Sequence, residues 1–132
     1  MPNRVSHFEI HADDVERCAT FYRDIFGWKI SKWEGGEMEY MMVETGPREE
    51  AGGINGGITK RGGQTPPMGS GMNGYCCTII VDSFDEMAKK VLQNGGKEAM
   101  PKFALPGMAW QGYFIDTEGN TFGLHQPDEN AK

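Results

Sequence analysis

The feature that most constrains this chain is an internal repeat of one strand, one helix and three further strands. In the first half, residues 7–11 alternate polar and apolar side chains, which is typical of a strand with one buried face. A helix follows, with Asp13 or Asp14 as its N-cap and Gly27 at its end. Strand patterns then cover residues 28–33, 37–44 and 53–59. The first half therefore predicts a βαβββ module.

The second half repeats this order of elements. Residues 75–81 predict a strand, Asp82 or Ser83 caps a helix that ends near Asn94, and strands follow at 97–102, 108–116 and 121–126. We expect this helix to bury its apolar residues, which are Phe84, Met87, Ala88, Val91 and Leu92. Superposing residues 7–14 on 76–83 aligns the two strand-to-helix junctions, so the repeat is visible in pattern although identity between the halves is poor.

The length of 132 residues predicts a single domain. Module one covers about residues 4–60, a glycine- and proline-rich linker about 61–73, and module two about 74–127. One helix can cover only one face of a four-stranded sheet. We therefore predict an α+β fold in which two βαβββ modules form an eight-stranded curved sheet around a concave cup, with the helices on the outside. Concave surfaces at module junctions commonly bind small ligands.

Charge and cysteine content exclude several classes of function. The net charge is −6 and no basic run is present, which argues against nucleic acid or a membrane surface as a partner. No stretch of about 18 apolar residues and no signal-peptide pattern is found, so we expect a cytoplasmic protein. Three cysteines give no disulfide framework; Cys76 and Cys77 should point to opposite faces of their strand, with Cys77 in the core.

Three segments resemble the vicinal oxygen chelate superfamily, which includes glyoxalase I, bleomycin resistance proteins and extradiol dioxygenases. They are residues 7–28, with the Phe21-Tyr22 and Phe26-Gly27 pairs, residues 81–96, and residues 113–124, with a tight turn before the last strand. The likeness covers nearly the whole chain. It is greatest to a glyoxalase-related branch with a Gly-Gly-Ile-Asn-Gly-Gly-Ile strand, here residues 52–58, in which many members have no assigned reaction.

The resemblance implies where a metal would bind. In metal-dependent members, four ligands come from the first and last strands of each module. The matching positions here are His7, Gly57, Cys76 and Gly123. Glycine therefore stands at both positions where the metal-dependent members carry a carboxylate ligand. We predict no metal and no other cofactor. His7 and Cys76 are residual candidates for binding a softer ion such as zinc.

Strand alternation directs a second set of polar residues into the predicted cup. Candidate catalytic residues are His7, Glu9 and His125, because a carboxylate beside a histidine can tune a general base. Ligand-binding candidates are Tyr40, Met42, Cys76, Thr78, Gln111 and Tyr113, with Met38 beside them. Ordinary sheet packing, or a hydrogen-bonded polar cluster at a seam, would explain the same residues.

Three functions fit these residues. The first is a small-molecule-binding protein or metal-independent enzyme of the glyoxalase/bleomycin-resistance type, with an organic ligand in the cup. The second is a divalent-metal-dependent lyase, isomerase or epimerase related to lactoylglutathione lyase, and the third is a regulatory interaction module. The sequence leaves open whether any reaction is catalysed. We also expect a homodimer, because members of the superfamily often form dimers and an exposed sheet edge favours association.

Overall fold

A computed structural model describes residues 5–35, 39–47, 49–65 and 75–132 of this chain. The chain divides into two compact units, Met1–Thr65 and Pro66–Lys132. In the described ranges, each unit holds one α-helix and one four-stranded mixed sheet. The predicted α+β class and the two βαβββ modules are confirmed, with the eight strands divided between two sheets. Most of the predicted linker, residues 66–73, and Met38 lie outside the described residues.

Module one begins with a strand that runs parallel to the last strand of the same module. Its elements are β1 (His7–Ala12), α1 (Val15–Phe26), β2 (Lys29–Lys32), β3 (Tyr40–Glu44) and β4 (Asn55–Lys60). The strand order is β1-β4-β3-β2, and all pairs except β1 with β4 are antiparallel. This order places β4 at the centre, between the first strand and the third.

The helix α1 covers one face of this sheet because its apolar residues recur at helical spacing. The carboxylate of Asp14 accepts a hydrogen bond from the backbone N–H of Arg17 at 3.0 Å and so caps the first turn. Gly27 ends the helix in the left-handed region, at a φ of 70°. Tyr22 stacks on Trp28 with 5.1 Å between ring centroids. With the apolar side chains held under α1, the polar side chains of β1 lie on the opposite, exposed face.

Module two repeats the arrangement with a longer third element. Its elements are β5 (Cys77–Ile80), α2 (Phe84–Gln93), β6 (Lys97–Leu105), β7 (Ala109–Ile115) and β8 (Thr121–Pro127). The order is β5-β8-β7-β6, with β5 parallel to β8. Strand β6 extends three residues beyond the predicted end at Lys102, because residues 103–105 pair with β7 after a register shift that spans Pro101 on this edge strand.

Two predictions about the core of module two were wrong. Cys77 is exposed, and Leu92 is 54% exposed. The helix α2 packs on β6, β7 and β8, whereas β5 is the edge strand at the far side of the sheet. Phe84 and Val91 supply the buried contacts of α2, and Leu92 lies about 100° further around the helix from Val91.

None of the described helices is long and apolar enough to cross a membrane.

Candidate functional site

The exposed face of the module-one sheet carries the first group of predicted site residues. Strand alternation places His7 and Glu9 on this face, and the sheet register sets Glu9 opposite Gly57. On the other side of β4, Met42 lies opposite the same glycine and is 43% exposed. Side chains from β1 and β3 therefore flank Gly57 of β4, which has no side chain.

The hydroxyl of Tyr40 occupies the space above this glycine. Its Oη atom lies 2.9 Å from Nε2 of His7. A Cβ atom added to Gly57 would lie 2.0 Å from Oη of Tyr40. Burial raises the pKa of Tyr40 above its ordinary value of 10.0, and the neighbouring Glu9 carboxylate raises it further. The phenol therefore remains protonated near neutral pH.

The hydrogen bonds of this cluster run in one direction, from His7 to Tyr40 and from Tyr40 to Glu9. Glu9 accepts from the protonated phenol, since an ionised carboxylate can only accept. The Tyr40 oxygen can then accept from Nε2–H of His7, which leaves Nδ1 of that ring as an acceptor. On the same face, Nε2 of His11 lies 4.0 Å from Oε1 of Glu9. The arrangement is a relay from an imidazole through a phenol to a carboxylate.

Module two has the same register at the equivalent positions. Thr78 and Tyr113 both lie opposite Gly123, as Glu9 and Met42 lie opposite Gly57. Gln111, which pairs with His125, therefore corresponds to Tyr40, which pairs with Thr59. The structure thus shows Gly57 and Gly123 at equivalent places, as the repeat in the sequence predicts.

Gln111 fills the space above Gly123. Its Oε1 atom lies 2.8 Å from Nδ1 of His125, and its Nε2 atom donates to Oγ1 of Thr78 at 3.4 Å. A Cβ atom added to Gly123 would lie 2.7 Å from that Oγ1 atom and 2.8 Å from that Nε2 atom. In both modules, a polar side chain from the third strand covers the glycine of the last strand.

The other predicted residues have more ordinary surroundings. Tyr113 shares the face of Gly123, and its ring is nearly parallel to that of Phe103, with 6.5 Å between centroids. Cys76 is half-buried, with its thiol 3.5 Å from the carbonyl oxygen of Thr121. Burial, and to a smaller extent the neighbouring Cys77, raises the pKa of Cys76. A protonated thiol is a poor nucleophile and a poor metal ligand.

Two surface concavities of module one have volumes of about 190 and 280 Å³. Tyr40 lines the smaller one, and neither is lined by His7 or Glu9. We base the candidate site on the converging hydrogen-bonding groups, because chemistry depends on those groups and an open surface concavity does not supply them.

The residues at the four expected ligand positions do not fit a divalent metal. Nowhere in the described ranges do three or more His, Cys, Asp or Glu side chains lie together in a way that could hold an ion. Gly57 and Gly123 offer no donor, and the space above each is filled by Tyr40 or Gln111. One imidazole and one protonated thiol remain, without the carboxylates that would offset the charge of the cation.

Comparison with known proteins identifies the family. The family described as "Bleomycin resistance protein-like N-terminal" matches residues 4–46. A "Glyoxylase-like domain-containing protein" of Didymella fabae is 33% identical over 122 residues, which cover 92% of this chain and 91% of that protein. This chain belongs to the glyoxalase-like family of the vicinal oxygen chelate superfamily. The resemblance found in the sequence is confirmed.

Solved structures share the fold at lower identity. The fosfomycin resistance protein FosX of Listeria monocytogenes is 17% identical, with a TM-score of 0.71 over 97% of this chain and 96% of that one. FosX of Mesorhizobium loti is 19% identical, with a TM-score of 0.67 over 97% and 95%. The E126Q mutant of the Listeria protein, solved with Mn(II) and 1S,2S-dihydroxypropylphosphonic acid, is 18% identical, with a TM-score of 0.70 over 95% and 90%.

Sequence reasoning found most members of the two clusters but not their pairing. It grouped His7 with Glu9 and Gln111 with Tyr113, yet it did not pair His7 with Tyr40 or Gln111 with His125. Spacing along the chain does not reveal this equivalence, because Tyr40 precedes Gly57 by 17 residues and Gln111 precedes Gly123 by 12. It becomes visible in the strand register, where Tyr40 and Gln111 each pair with the residue two positions after the glycine.

Proposed function

We propose that this chain is a metal-independent small-molecule protein of the glyoxalase/bleomycin-resistance type. The observation that carries the proposal is the Tyr40 hydroxyl above Gly57, in contact with both His7 and Glu9. In a metal-dependent relative, a carboxylate ligand would project from that glycine position. Here a protonated phenol holds the space, so an organic ligand meets hydrogen-bonding groups at this place instead of a cation.

The relay supplies acid–base chemistry without a metal. Nδ1 of His7 can accept a proton from a ligand hydroxyl or an acidic C–H group. The positive charge that then develops on the imidazole is offset by the Glu9 carboxylate, which acts through the Tyr40 phenol. The cluster therefore suits a polar ligand that is bound by hydrogen bonds and, where it carries an acidic proton, deprotonated.

The competing proposal is a divalent-metal lyase, isomerase or epimerase. One observation favours it, namely the presence of Mn(II) in a FosX structure with the same fold. Metal content separates the two proposals. We expect protein purified without a metal-chelating tag to contain no stoichiometric zinc, nickel, manganese or iron by plasma mass spectrometry. A stoichiometric metal that disappears in His7→Ala would establish the competing proposal.

Ligand binding tests the proposal itself. Fosfomycin, S-lactoylglutathione and bleomycin are suitable probes, titrated separately while the side-chain NMR signals of His7 and Tyr40 are followed. For a probe that binds, Tyr40→Phe should weaken the affinity about tenfold, or ~1.4 kcal/mol, since it removes the hydroxyl. Tyr75→Phe is the matched control, because Tyr75 is fully exposed. Equal affinity in Tyr40→Phe and wild type would overturn the assignment of the site.

Failure of every probe to bind would favour the third function, a regulatory interaction module.

We also propose a cytoplasmic homodimer. Each sheet has its first strand, β1 or β5, at one edge, and an edge strand can pair with another chain. Light scattering after size-exclusion chromatography should give twice the mass of the chain, and the mass of one chain would contradict the proposal.

A further inference from the structure

Gln111 is a buried polar residue whose two amide atoms are both engaged. The side chain projects from β7 opposite His125 on β8, and the residue is only 5% exposed. Its Nε2 atom donates to Oγ1 of Thr78, and its Oε1 atom faces Nδ1 of His125 at 2.8 Å. A residue so enclosed acts through its neighbours and not by contact with a ligand.

The orientation of the amide determines where the proton of the imidazole lies. An amide oxygen can only accept a hydrogen bond, so the nitrogen that faces it must carry a proton. We infer that Gln111 is a positioning residue that holds neutral His125 as its Nδ1–H tautomer and leaves Nε2 as a hydrogen-bond acceptor. At the other end of the amide, Nε2 donates to the hydroxyl oxygen of Thr78.

Gly123 makes this arrangement possible. Any side chain at that position would begin with a Cβ atom 2.8 Å from the amide nitrogen of Gln111. The same atom would lie 2.7 Å from Oγ1 of Thr78, and ordinary van der Waals contact begins at 3.4 Å, so both the amide and the hydroxyl would have to move. The missing side chain at Gly123 is thus what allows Gln111 to lie flat between Thr78 and His125.

The inference gives the two histidines complementary tautomers. In the module-one relay, His7 donates through Nε2 and leaves Nδ1 to accept, whereas His125 donates through Nδ1 and leaves Nε2 to accept. This inference rests on the proposed function only in the statement that His125 contacts a bound ligand. The tautomer itself depends only on the amide oxygen of Gln111 that faces Nδ1 of His125.

Nitrogen-15 NMR of histidine side chains measures the tautomer directly. Two-bond correlations in ¹⁵N-labelled full-length protein, above the pH at which the imidazoles are neutral, distinguish protonated from unprotonated ring nitrogens. We expect the Nε2 signal of His125 at the unprotonated position and its Nδ1 signal at the protonated position. The Nε2–H tautomer, or a rapid average of both, would overturn the inference, since either shows that the amide does not present its oxygen to the ring.

Two variants separate positioning from a merely structural role. Gln111→Met keeps the size of the side chain and removes the acceptor, so the ring should shift toward the Nε2–H tautomer that prevails in free imidazoles of this type. Gln111→Glu keeps an acceptor and should keep the Nδ1–H tautomer. Gln93→Met, on the exposed surface of α2, is the matched control and should leave His125 unchanged. An Nδ1–H tautomer that persists in Gln111→Met would contradict the inference.

The experiment does not depend on either variant folding, because the wild-type spectrum is decisive. It also separates this inference from the proposed function. If His125 is the Nδ1–H tautomer and no ligand probe binds, the positioning role of Gln111 stands and the proposed ligand binding is wrong. If a probe binds and His125 is the Nε2–H tautomer, the proposed ligand binding stands and the positioning role is wrong.

Discussion

Gly57→Ala is the substitution that most directly perturbs the module-one relay. The new Cβ atom would lie 2.0 Å from the Tyr40 hydroxyl oxygen, and ordinary contact begins at 3.4 Å. The hydroxyl must therefore move by about 1.4 Å, and the ring must move with it, since Cζ and Cε1 of Tyr40 would lie 2.2 and 2.6 Å from the new atom. A hydrogen bond of 2.9 Å to His7 does not survive a displacement of that size. We expect the variant to fold with Tyr40 separated from His7 and Glu9.

The expected cost in stability is small because two effects oppose each other. The lost hydrogen bond costs about 0.5–1.5 kcal/mol. Replacing glycine restricts the unfolded chain, which stabilises the folded state by about 0.4–1 kcal/mol. The free energy of unfolding should therefore change by less than about 1 kcal/mol. Gly53→Ala is the matched control, since its Cβ atom would meet only the Thr45 hydroxyl, at an ordinary 3.7 Å.

The pKa of Tyr40 reports whether the ring has moved. In the wild type, burial and Glu9 raise this pKa above 10.0. The folded state thus keeps its proton at a pH where the unfolded state loses it, so the associated stability is present below pH 10 and is lost as the pH rises through the folded pKa. In Gly57→Ala the pKa should fall toward 10.0, and this alkaline loss should become shallower.

Carbon-13 NMR of tyrosine labelled at Cζ measures the change, with urea unfolding at several pH values as the second measurement. A Tyr40 pKa that is equal in wild type and Gly57→Ala would refute the reasoning. It would show that the position of the phenol does not depend on the absence of a side chain at Gly57.

Three further predictions test the surrounding structure. Gly56→Ala should lower the free energy of unfolding, measured in urea, by about 2–3 kcal/mol. Its Cβ atom would lie 2.3 Å from the backbone oxygen of Phe8, which can move only if strand β1 is displaced. A decrease below about 0.5 kcal/mol would contradict this prediction. Cys76 should react with iodoacetamide at neutral pH more slowly than free cysteine, followed by peptide mass spectrometry, and faster reaction would show an activated thiol. Asp14→Ala and Ser83→Ala should each cost about 1 kcal/mol by removing a helix N-cap, and unchanged thermal unfolding would show that the caps contribute nothing.

The sequence predicted the modules well because strand and helix periodicity follow local rules. Both helices and seven of the eight strands lie close to the expected positions. Two N-cap candidates were predicted for each helix, and the structure shows Asp14 and Ser83 in that role. Strand β6 was predicted too short, ending at Lys102 instead of Leu105, because its last three residues pair with β7 only after a register shift that periodicity does not reveal.

The pairing within the site depends on information that periodicity does not contain. Alternation indicates which face a residue occupies, but the partner across the sheet depends on register, and the contact depends on the rotamer. The link between Tyr40 and Gly57 is of this kind, since Tyr40 lies opposite Thr59 and reaches diagonally over the glycine. The exposure of Cys77 likewise follows from where α2 packs, which the strand pattern does not reveal.

A titration of chelator-treated protein with Mn(II) tests the central claim most directly, namely that hydrogen-bonding side chains have replaced the metal in this member of the family. Mn(II) is paramagnetic and broadens the NMR signals of nuclei close to it, so the imidazole signals of His7 and His125 report binding residue by residue. We predict that both signals keep their widths at one equivalent of Mn(II). Selective loss of the His7 signal at one equivalent would show that a metal site persists beside Tyr40, and would contradict the account.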